Sequence, residues 1–151
     1  MKFFVCDMWQ PYVDMAQIYF PNAKIIIDKY HFIRQVGWAI EAVRKRLQKS
    51  MPKKLRKYFK HSRRLILTRY HRLSNEKKRE CDLMLLYNDD LRKAHYLKEK
   101  FYEICQNPKY SEQRTDFWDW IKEAESSGIP EFEKCAKTYR NWSKYILNAY
   151  K

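Results

Sequence analysis

The strongest constraint on the fold lies at the N-terminus, where two short apolar runs each end on an aspartate. Residues 3–6 precede Asp7, and residues 24–27 precede Asp28. Between them, apolar side chains at 12, 15, 16, 19 and 20 have the spacing of a helix of about three turns, and Pro11 suits its first turn. Strand, helix and strand in so short a stretch predict a βαβ unit whose parallel strands are joined by a right-handed crossover.

The apolar runs do not alternate with polar residues, which is typical of parallel strands buried on both faces. Both aspartates then lie at the carboxyl ends of the strands, where open α/β sheets place their chemistry. Aspartates that only end a strand or cap a helix are also common there, so the pattern leaves both interpretations open for Asp7 and Asp28. Two strands are too few for an independently stable sheet, so further strands or covering helices are expected.

The composition indicates a folded, strongly basic protein. With 151 residues, 45% of them hydrophobic, the chain is large enough for one domain with a core. It has 32 Lys and Arg against 18 Asp and Glu, a surplus that favours a polyanionic partner. The four isolated cysteines indicate reduced thiols of a cytosolic protein rather than disulfides or a zinc site. No apolar run approaches the roughly 20 residues of a membrane span.

The rest of the sequence predicts helices. One helix carries an apolar face at 32, 36, 40, 43 and 47, and Pro52 separates it from a second, basic helix over about 53–67. From Ser74 onward the pattern is helical throughout: Asn88 caps a helix over 89–105, Ser111 caps the next, and Pro130 starts the last. The predicted fold is mostly α with a small α/β part, divided near Leu47 into a βαβα piece (1–46) and an all-helical piece (47–151).

Positive charge is concentrated between Arg44 and Arg79, a stretch called the basic segment below. It contains 16 Lys or Arg, and Glu76 is its only acid. Such density favours contact with phosphates over a merely solvated face. His61, His71 and His95 are expected on its surface, and the Trp and Tyr stripes of the later helices in the core. The candidate DNA-contacting residues are Arg44, Lys45, Arg46, Lys53, Lys54, Arg56, Lys57, Lys60, Arg63, Arg64, Arg69 and Arg72.

Several stretches resemble a known family. The strings VCDMWQPY at 5–12 and FPNAKIIIDKYHF at 20–32 resemble the catalytic domain of the DDE transposases of bacterial insertion sequences, specifically the ISL-three group. The resemblance continues through WAIEAVRK at 38–45 and through residues 129–150. It therefore spans essentially the whole chain, with the most specific matches at the N-terminus.

This resemblance implies an RNase H-like fold in which three carboxylates hold two divalent ions, Mg²⁺ or Mn²⁺, for DNA strand cleavage and transfer. Asp7 matches the second catalytic aspartate and is thereby a metal ligand. Asp28 and His31 match a D-x-x-H signature, in which His31 supports the site through Asp28, contacts a phosphate, or is only structural. The helices after Leu47 match an α-helical insertion. DNA, multimers on paired DNA ends and a cytoplasmic, nucleoid-associated location in bacteria are also implied.

The chain departs from the family pattern in ways that predict a fragment. Nothing before residue 1 supplies a first aspartate, and no Gly- and Asn-rich helix carries the catalytic glutamate, since glycine occurs only at 37 and 128. We therefore expect the isolated chain to be inactive on DNA and to hold no metal tightly. The alternative hypothesis is a non-catalytic basic helical module that binds DNA or associates with itself, such as a transposon remnant.

Overall fold

The computed structural model describes all 151 residues, which form two strands and eight α-helices. The N-terminal unit contains β1 (Phe3–Cys6), α1 (Gln10–Tyr19), β2 (Lys24–Ile27) and α2 (Lys29–Lys49). The remaining elements are α3 (Lys53–Lys60), α4 (Arg63–Leu67), a 3-10 turn (Tyr70–Arg72), α5 (Asn75–Leu86), α6 (Asp89–Gln106), α7 (Tyr110–Glu125) and α8 (Pro130–Asn148). The prediction of a mostly helical fold with a small α/β part is confirmed.

The two strands form the predicted parallel pair. Phe3 lies opposite Lys24 and Cys6 opposite Ile27, and the backbone N–H of Asp28 extends the ladder by donating to the carbonyl of Cys6 at 3.0 Å. The ladder brings Asp7 and Asp28 to the same end of the sheet. No third strand joins the pair.

Only one face of this sheet is buried, so the expectation of two buried faces was wrong. Val13 and Ala16 of α1 pack with Ile25 on the covered face, together with partly buried side chains of β1 and α8. On the other face, the side chains of Phe3 and Val5 are 57% and 58% exposed. The physical reason is that the crossover helix and α8 both lie on one side of the strands, and nothing covers the other side.

Helix α2 connects the N-terminal unit to the helical part. Its residues at 32, 36, 40, 43 and 47 are buried, as the apolar spacing predicted. One continuous cluster of buried side chains extends from Ile27 through these positions to Phe132, Tyr139 and Ile146 of α8. The predicted boundary at 46/47 therefore falls inside α2, and the core is continuous across it.

Most of the predicted helix ends and core aromatics are confirmed. The Asn88 side chain accepts from the N–H groups of Asp90 and Leu91, and Pro130 lies in the first turn of α8. The rings of Trp120 and Tyr139 are fully buried, and Trp120 donates to the carbonyl of Leu97 at 2.8 Å.

Two helix predictions were wrong. Helix α7 starts at Tyr110 with no side-chain cap, so Ser111 lies inside it. The basic helix expected over 53–67 is two helices, because the chain turns at His61–Ser62, where the Ser62 hydroxyl donates to the carbonyl of Phe59 at 2.6 Å.

The remaining global expectations concern cysteines and membranes. All four cysteines are free thiols, two of them buried and two partly buried. None of the helices combines the length and the apolar character that a membrane span requires.

Candidate functional site

Asp7 is the centre of a small polar cluster at the carboxyl end of β1. Its carboxylate accepts a hydrogen bond from the N–H of Met8 at 2.6 Å. Nδ1 of His31 lies 3.2 Å from one carboxylate oxygen, and a guanidinium nitrogen of Arg34 lies 3.8 Å from the other. The Asp7 side chain remains 38% exposed, so a ligand from solvent can reach it.

His31 contacts Asp7 rather than Asp28, so the hydrogen bond to Asp28, one of the alternatives left open for it, is not formed. The contact is close, but Nδ1 makes no well-aligned hydrogen bond within the chain. His31 lies in the first turn of α2 and the strand ladder places Asp7 beside that turn, so the two side chains meet across the parallel pair. Arg34, three residues further along α2, completes the cluster.

Asp28 is the N-cap of α2. Its carboxylate accepts a hydrogen bond from the N–H of Tyr30 at 2.8 Å, the usual role of an aspartate at a helix start. The side chain is exposed. The capping interpretation of Asp28 therefore describes its position, and its carboxylate makes no ion pair with His31 or Arg34.

The donor set around Asp7 is suited to contribute to a cation site without forming one alone. A carboxylate oxygen is the ligand type that Mg²⁺ and Mn²⁺ prefer. The chain contains no group of three His, Cys, Asp or Glu side chains placed to hold a metal ion. Asp7 can therefore supply one carboxylate ligand, and the guanidinium of Arg34 beside it would compete with a metal unless further carboxylates were present.

The basic segment forms the end of α2, then α3, α4, the 3-10 turn and the start of α5. Most of its predicted DNA-contacting residues lie on the surface, and several make no ion pair with an acid. These exposed residues without an acidic partner are Lys45, Lys53, Lys54, Arg56, Lys57, Lys60, Arg64 and Arg72. Their charges are available to a polyanion from solvent.

Arg44 differs from this group because its side chain is buried. Its guanidinium donates to both carboxylate oxygens of Glu41, at 2.9 and 2.7 Å, and to the carbonyl of Phe59 at 3.0 Å. The side chain thus connects α2 to the end of α3. In this conformation Arg44 cannot reach a phosphate, so the structure gives it a role in folding instead.

Three other predicted arginines have partners within the chain, Arg46 and Arg63 at the surface and Arg69 partly buried. Arg46 donates to Glu131 at 2.7 Å and lies 3.4 Å from Asp90, and these carboxylates raise the pKa of its guanidinium. Arg63 lies 3.4 Å from Glu41 but is 66% exposed. The guanidinium of Arg69 lies over the ring of Tyr102, at 5.4 Å from its centroid.

A cleft of about 770 Å³ opens between α3, α4 and α5. Four cationic side chains reach it, and Glu80, paired with Lys77 at 3.0 Å, is its only acid. Tyr58 also lines the cleft, and its side chain is half exposed. The cations that line the cleft are Lys54, Lys57, Arg64 and Lys77, the last of which was not among the predicted DNA contacts.

A buried lysine that the sequence analysis missed fixes the basic segment to α6. Lys98 is fully buried, and its Nζ donates to the carbonyls of Ile66 and Thr68 at 2.6 and 3.1 Å and to Glu99 at 2.9 Å. Glu99 in turn accepts from the N–H of Tyr70 at 2.9 Å. The sequence did contain an indication of this burial, because Lys98 occupies a position on the apolar face of α6.

His95 lies beside this lysine and not on the surface, which corrects the expectation for it. The ring is buried, with Nε2 3.9 Å from the sulfur of Cys81 and 3.8 Å from Glu99. Burial, and secondarily the charge of Lys98, lower the pKa of His95 to about 4. The imidazole is therefore neutral at pH 7.

Comparison with known families identifies the chain. A family model described as "Transposase", that of the ISL-three group, matches residues 1–151. This chain belongs to the ISL-three group of transposases. The family prediction made from the N-terminal strings is thus confirmed, and the match includes both the Asp7 cluster and the basic segment.

A curated relative of this ISL-three chain is the transposase for insertion sequence element IS1001 of Bordetella parapertussis. The two are 26% identical over 155 residues, which cover 97% of the present chain. The chain spans 37% of the length of that relative. No solved structure matches the ISL-three chain significantly.

Proposed function

We propose that this chain is part of a DNA transposase of the DDE type, in which Asp7 is a catalytic carboxylate and a ligand for Mg²⁺ or Mn²⁺. The observation that carries the proposal is the position of the Asp7 carboxylate, partly exposed at the carboxyl end of a parallel strand. Family membership supports it, and the βαβα unit is compatible with part of an RNase H-like core. In such a core the metal ions would activate the nucleophile and stabilise the leaving oxygen.

A two-metal site requires more ligands than this chain provides. Asp7 would supply one, and the remaining carboxylates would come from other parts of a longer transposase, since the curated relative is much longer than this chain. His31 and Arg34 would then flank the site, and the guanidinium of Arg34 would balance part of its negative charge. We accordingly expect no cleavage or joining of DNA by residues 1–151 alone.

The catalytic proposal is tested in a full-length transposase that contains this chain. Asp7→Asn should abolish Mg²⁺-dependent cleavage of a transposon-end duplex and leave binding of the same duplex within about twofold. Asp14→Asn, on the exposed face of α1, is the matched control and should retain activity. Cleavage by Asp7→Asn at the wild-type rate would contradict the assignment, as would Mg²⁺-dependent nicking by the isolated chain.

For DNA binding, we propose that the exposed cations of the basic segment follow the phosphate backbone, with the cleft between α3, α4 and α5 as one phosphate-binding surface. Phosphate contacts of this kind fix position without reading sequence. Binding should therefore be largely independent of sequence and steeply salt-dependent, with a slope of log affinity against log salt of roughly −0.9 per neutralised phosphate. Heparin should compete for the same surface.

Lys54→Ala/Lys57→Ala is the sharpest test of this interface, because both side chains line the cleft and neither makes an ion pair. The double variant should flatten the salt slope by about two units at unchanged stability. Lys134→Ala/Lys137→Ala, two exposed lysines of α8, is the charge-matched control. Equal effects of the two double variants in fluorescence anisotropy would mean that only total charge matters.

Self-association is the third part of the proposal, and it rests on the exposed face of the sheet. Phe3 and Val5 project from an edge strand whose outer side is unpaired. Exposed edges and apolar faces of this kind favour pairing with another chain. Val5→Lys should shift the chain toward monomer in light scattering, whereas Leu83→Lys, equally exposed on α5, should not. A wild-type monomer across micromolar concentrations would contradict this part.

A further inference from the structure

We propose that the exposed face of α2 is a track for a DNA strand, leading from the basic segment to Asp7. On this track Tyr30 and Trp38 stack on unpaired bases, and Arg34 binds a phosphate next to the carboxylate. The proposal rests on the function proposed above, because it requires DNA as the partner. It goes further in assigning a DNA-contacting role to three residues outside the basic segment.

Tyr30, Arg34 and Trp38 form a stack along α2. They are spaced four residues apart along α2, so they lie on one side of the helix. The guanidinium carbon of Arg34 is 5.6 Å from the ring centroid of Tyr30 and 4.7 Å from that of Trp38. Tyr30 is 69% exposed and Trp38 56% exposed. The rings are therefore held in place by the arginine while much of their surface faces solvent.

The guanidinium of Arg34 has N–H donors that make no hydrogen bond within the chain. Its Nε–H is buried and so is not open to a ligand, but the side chain is 32% exposed and its terminal N–H groups make no hydrogen bond within the chain. The guanidinium nitrogen nearest Asp7 is 3.8 Å from the carboxylate, which is longer than a hydrogen bond. A planar guanidinium fixed between two aromatic faces, with donors left over, is well suited to bind a phosphate in a defined position.

The helix face that carries this stack continues into the basic segment. At 100° per residue, Lys45 and Lys49 fall within the same arc of about 100° that holds Tyr30, Arg34 and Trp38. Both lysines are exposed, and with Arg56 of α3 they line a shallow cleft. Helix α2 has 21 residues, so this side of the helix is about 30 Å long, and it is interrupted at Glu41, which is buried.

The charge along this face favours nucleic acid over a protein partner. Its one acid, Glu41, is neutralised by Arg44 at 2.7 Å and by Arg63 at 3.4 Å. The remaining groups are cations and aromatic rings, the combination that binds single strands with little dependence on sequence. The distance from Tyr30 to Trp38 along the axis is about 12 Å, enough for roughly three nucleotides at 3.4 Å each.

The experiment compares two labelled DNA probes in fluorescence anisotropy: a blunt duplex, and the same duplex with a tail of three unpaired nucleotides. Trp38→Ala and Tyr30→Ala should each weaken binding of the tailed probe about tenfold and change binding of the blunt probe less than twofold. Trp9→Ala removes an equally exposed tryptophan outside α2 and is the matched control. Trp38→Phe should keep most of the affinity for the tailed probe.

The outcomes separate this inference from the function on which it rests. If the wild-type chain binds neither probe, DNA binding itself fails and the track fails with it. If the wild type binds both probes and responds to Lys54→Ala/Lys57→Ala, but Trp38→Ala and Trp9→Ala behave alike, only the track is overturned. Circular dichroism and thermal melts confirm that each variant is folded, since Trp38 and Tyr30 contribute little to the core.

Discussion

Asn148, at the end of α8, donates a side-chain hydrogen bond of 2.8 Å to the backbone carbonyl of Ile25 in β2. The two residues lie 123 positions apart in the sequence. The bond satisfies a carbonyl on the outer edge of a strand that has a neighbour on one side only. It therefore joins the last helix to the small sheet that positions Asp7.

Asn148→Ala should loosen this sheet. Loss of a partner leaves a part-buried carbonyl unsatisfied, at a cost of about 1–2 kcal/mol. Amide hydrogen exchange should speed up in β1 and β2 while α6 and α7 remain protected. Asn141→Ala, exposed on the same helix, is the control. Unchanged exchange in the strands would show that the hydrogen bond has no structural importance.

Lys98→Met should be one of the most destabilising single changes in the chain. It would leave Glu99 without its cation and two backbone carbonyls without a donor, and breaking a buried pair in this way costs about 3–5 kcal/mol. The free energy of unfolding in urea measures the effect. Lys122→Met, on the exposed face of α7, should stay within about 0.5 kcal/mol of wild type. A loss below 1 kcal/mol for Lys98→Met would contradict the anchoring role.

The stability of the chain should fall as the pH drops from about 6.5 to 4. Burial lowers the pKa of His95 to about 4, whereas the unfolded chain has the usual value near 6.5. Between these values the unfolded state binds the extra proton, so acid favours unfolding by about 1.4 kcal/mol per pH unit, or roughly 3 kcal/mol in all. Glu99 acts in the same direction: burial opposes its ionisation, but the hydrogen bond from Lys98 lowers its pKa overall.

His95→Gln isolates the contribution of the imidazole. Urea unfolding at pH 7 and at pH 4.5 should show a smaller difference for the variant than for the wild type, by about 2–3 kcal/mol. His71→Gln, an exposed histidine of the 3-10 turn, should retain the wild-type pH dependence. Parallel pH profiles of wild type and His95→Gln would exclude a neutral, buried imidazole.

The two glycines should respond in opposite directions to alanine. Gly128 has φ +73°, which an L side chain adopts only with strain, so Gly128→Ala should destabilise the chain by about 1 kcal/mol. Gly37 lies inside α2 with only the Tyr102 hydroxyl near a new methyl group, at 4.0 Å. Gly37→Ala should therefore stabilise by about 0.5–1 kcal/mol, and thermal melts measure both changes.

Local sequence patterns were sufficient to predict most of the strands and helices and part of the candidate site. The apolar runs ending on Asp7 and Asp28 predicted the βαβ unit, and the cap at Asn88 and the proline at 130 predicted helix starts. These features depend on residues that are neighbours in sequence, such as a cap and the N–H groups of the next turn. The N-terminal strings likewise carried the family membership.

The cluster around Asp7 shows where local patterns were insufficient. The D-x-x-H resemblance left the partner of His31 open, and the parallel ladder places His31 and Arg34 beside Asp7. That pairing depends on the alignment of β1 against β2, a contact between segments separated by a whole helix. The stack of Tyr30, Arg34 and Trp38 could likewise be recognised only after the structure showed which face of α2 is exposed.

Sequence alone did not show which of the positively charged side chains are buried and which face solvent. The sequence by itself determined that positive residues concentrate between Arg44 and Arg79, that the chain is mostly helical and which family it belongs to. Only the tertiary structure decided that Arg44 and Lys98 are buried in hydrogen-bond networks while Lys54 and Lys57 face solvent. The physical reason is that a buried cation needs several acceptors at once. The carboxylates of Glu41 and Glu99 are close in sequence to Arg44 and Lys98, but the carbonyls that complete each network come from other elements and are brought there by folding.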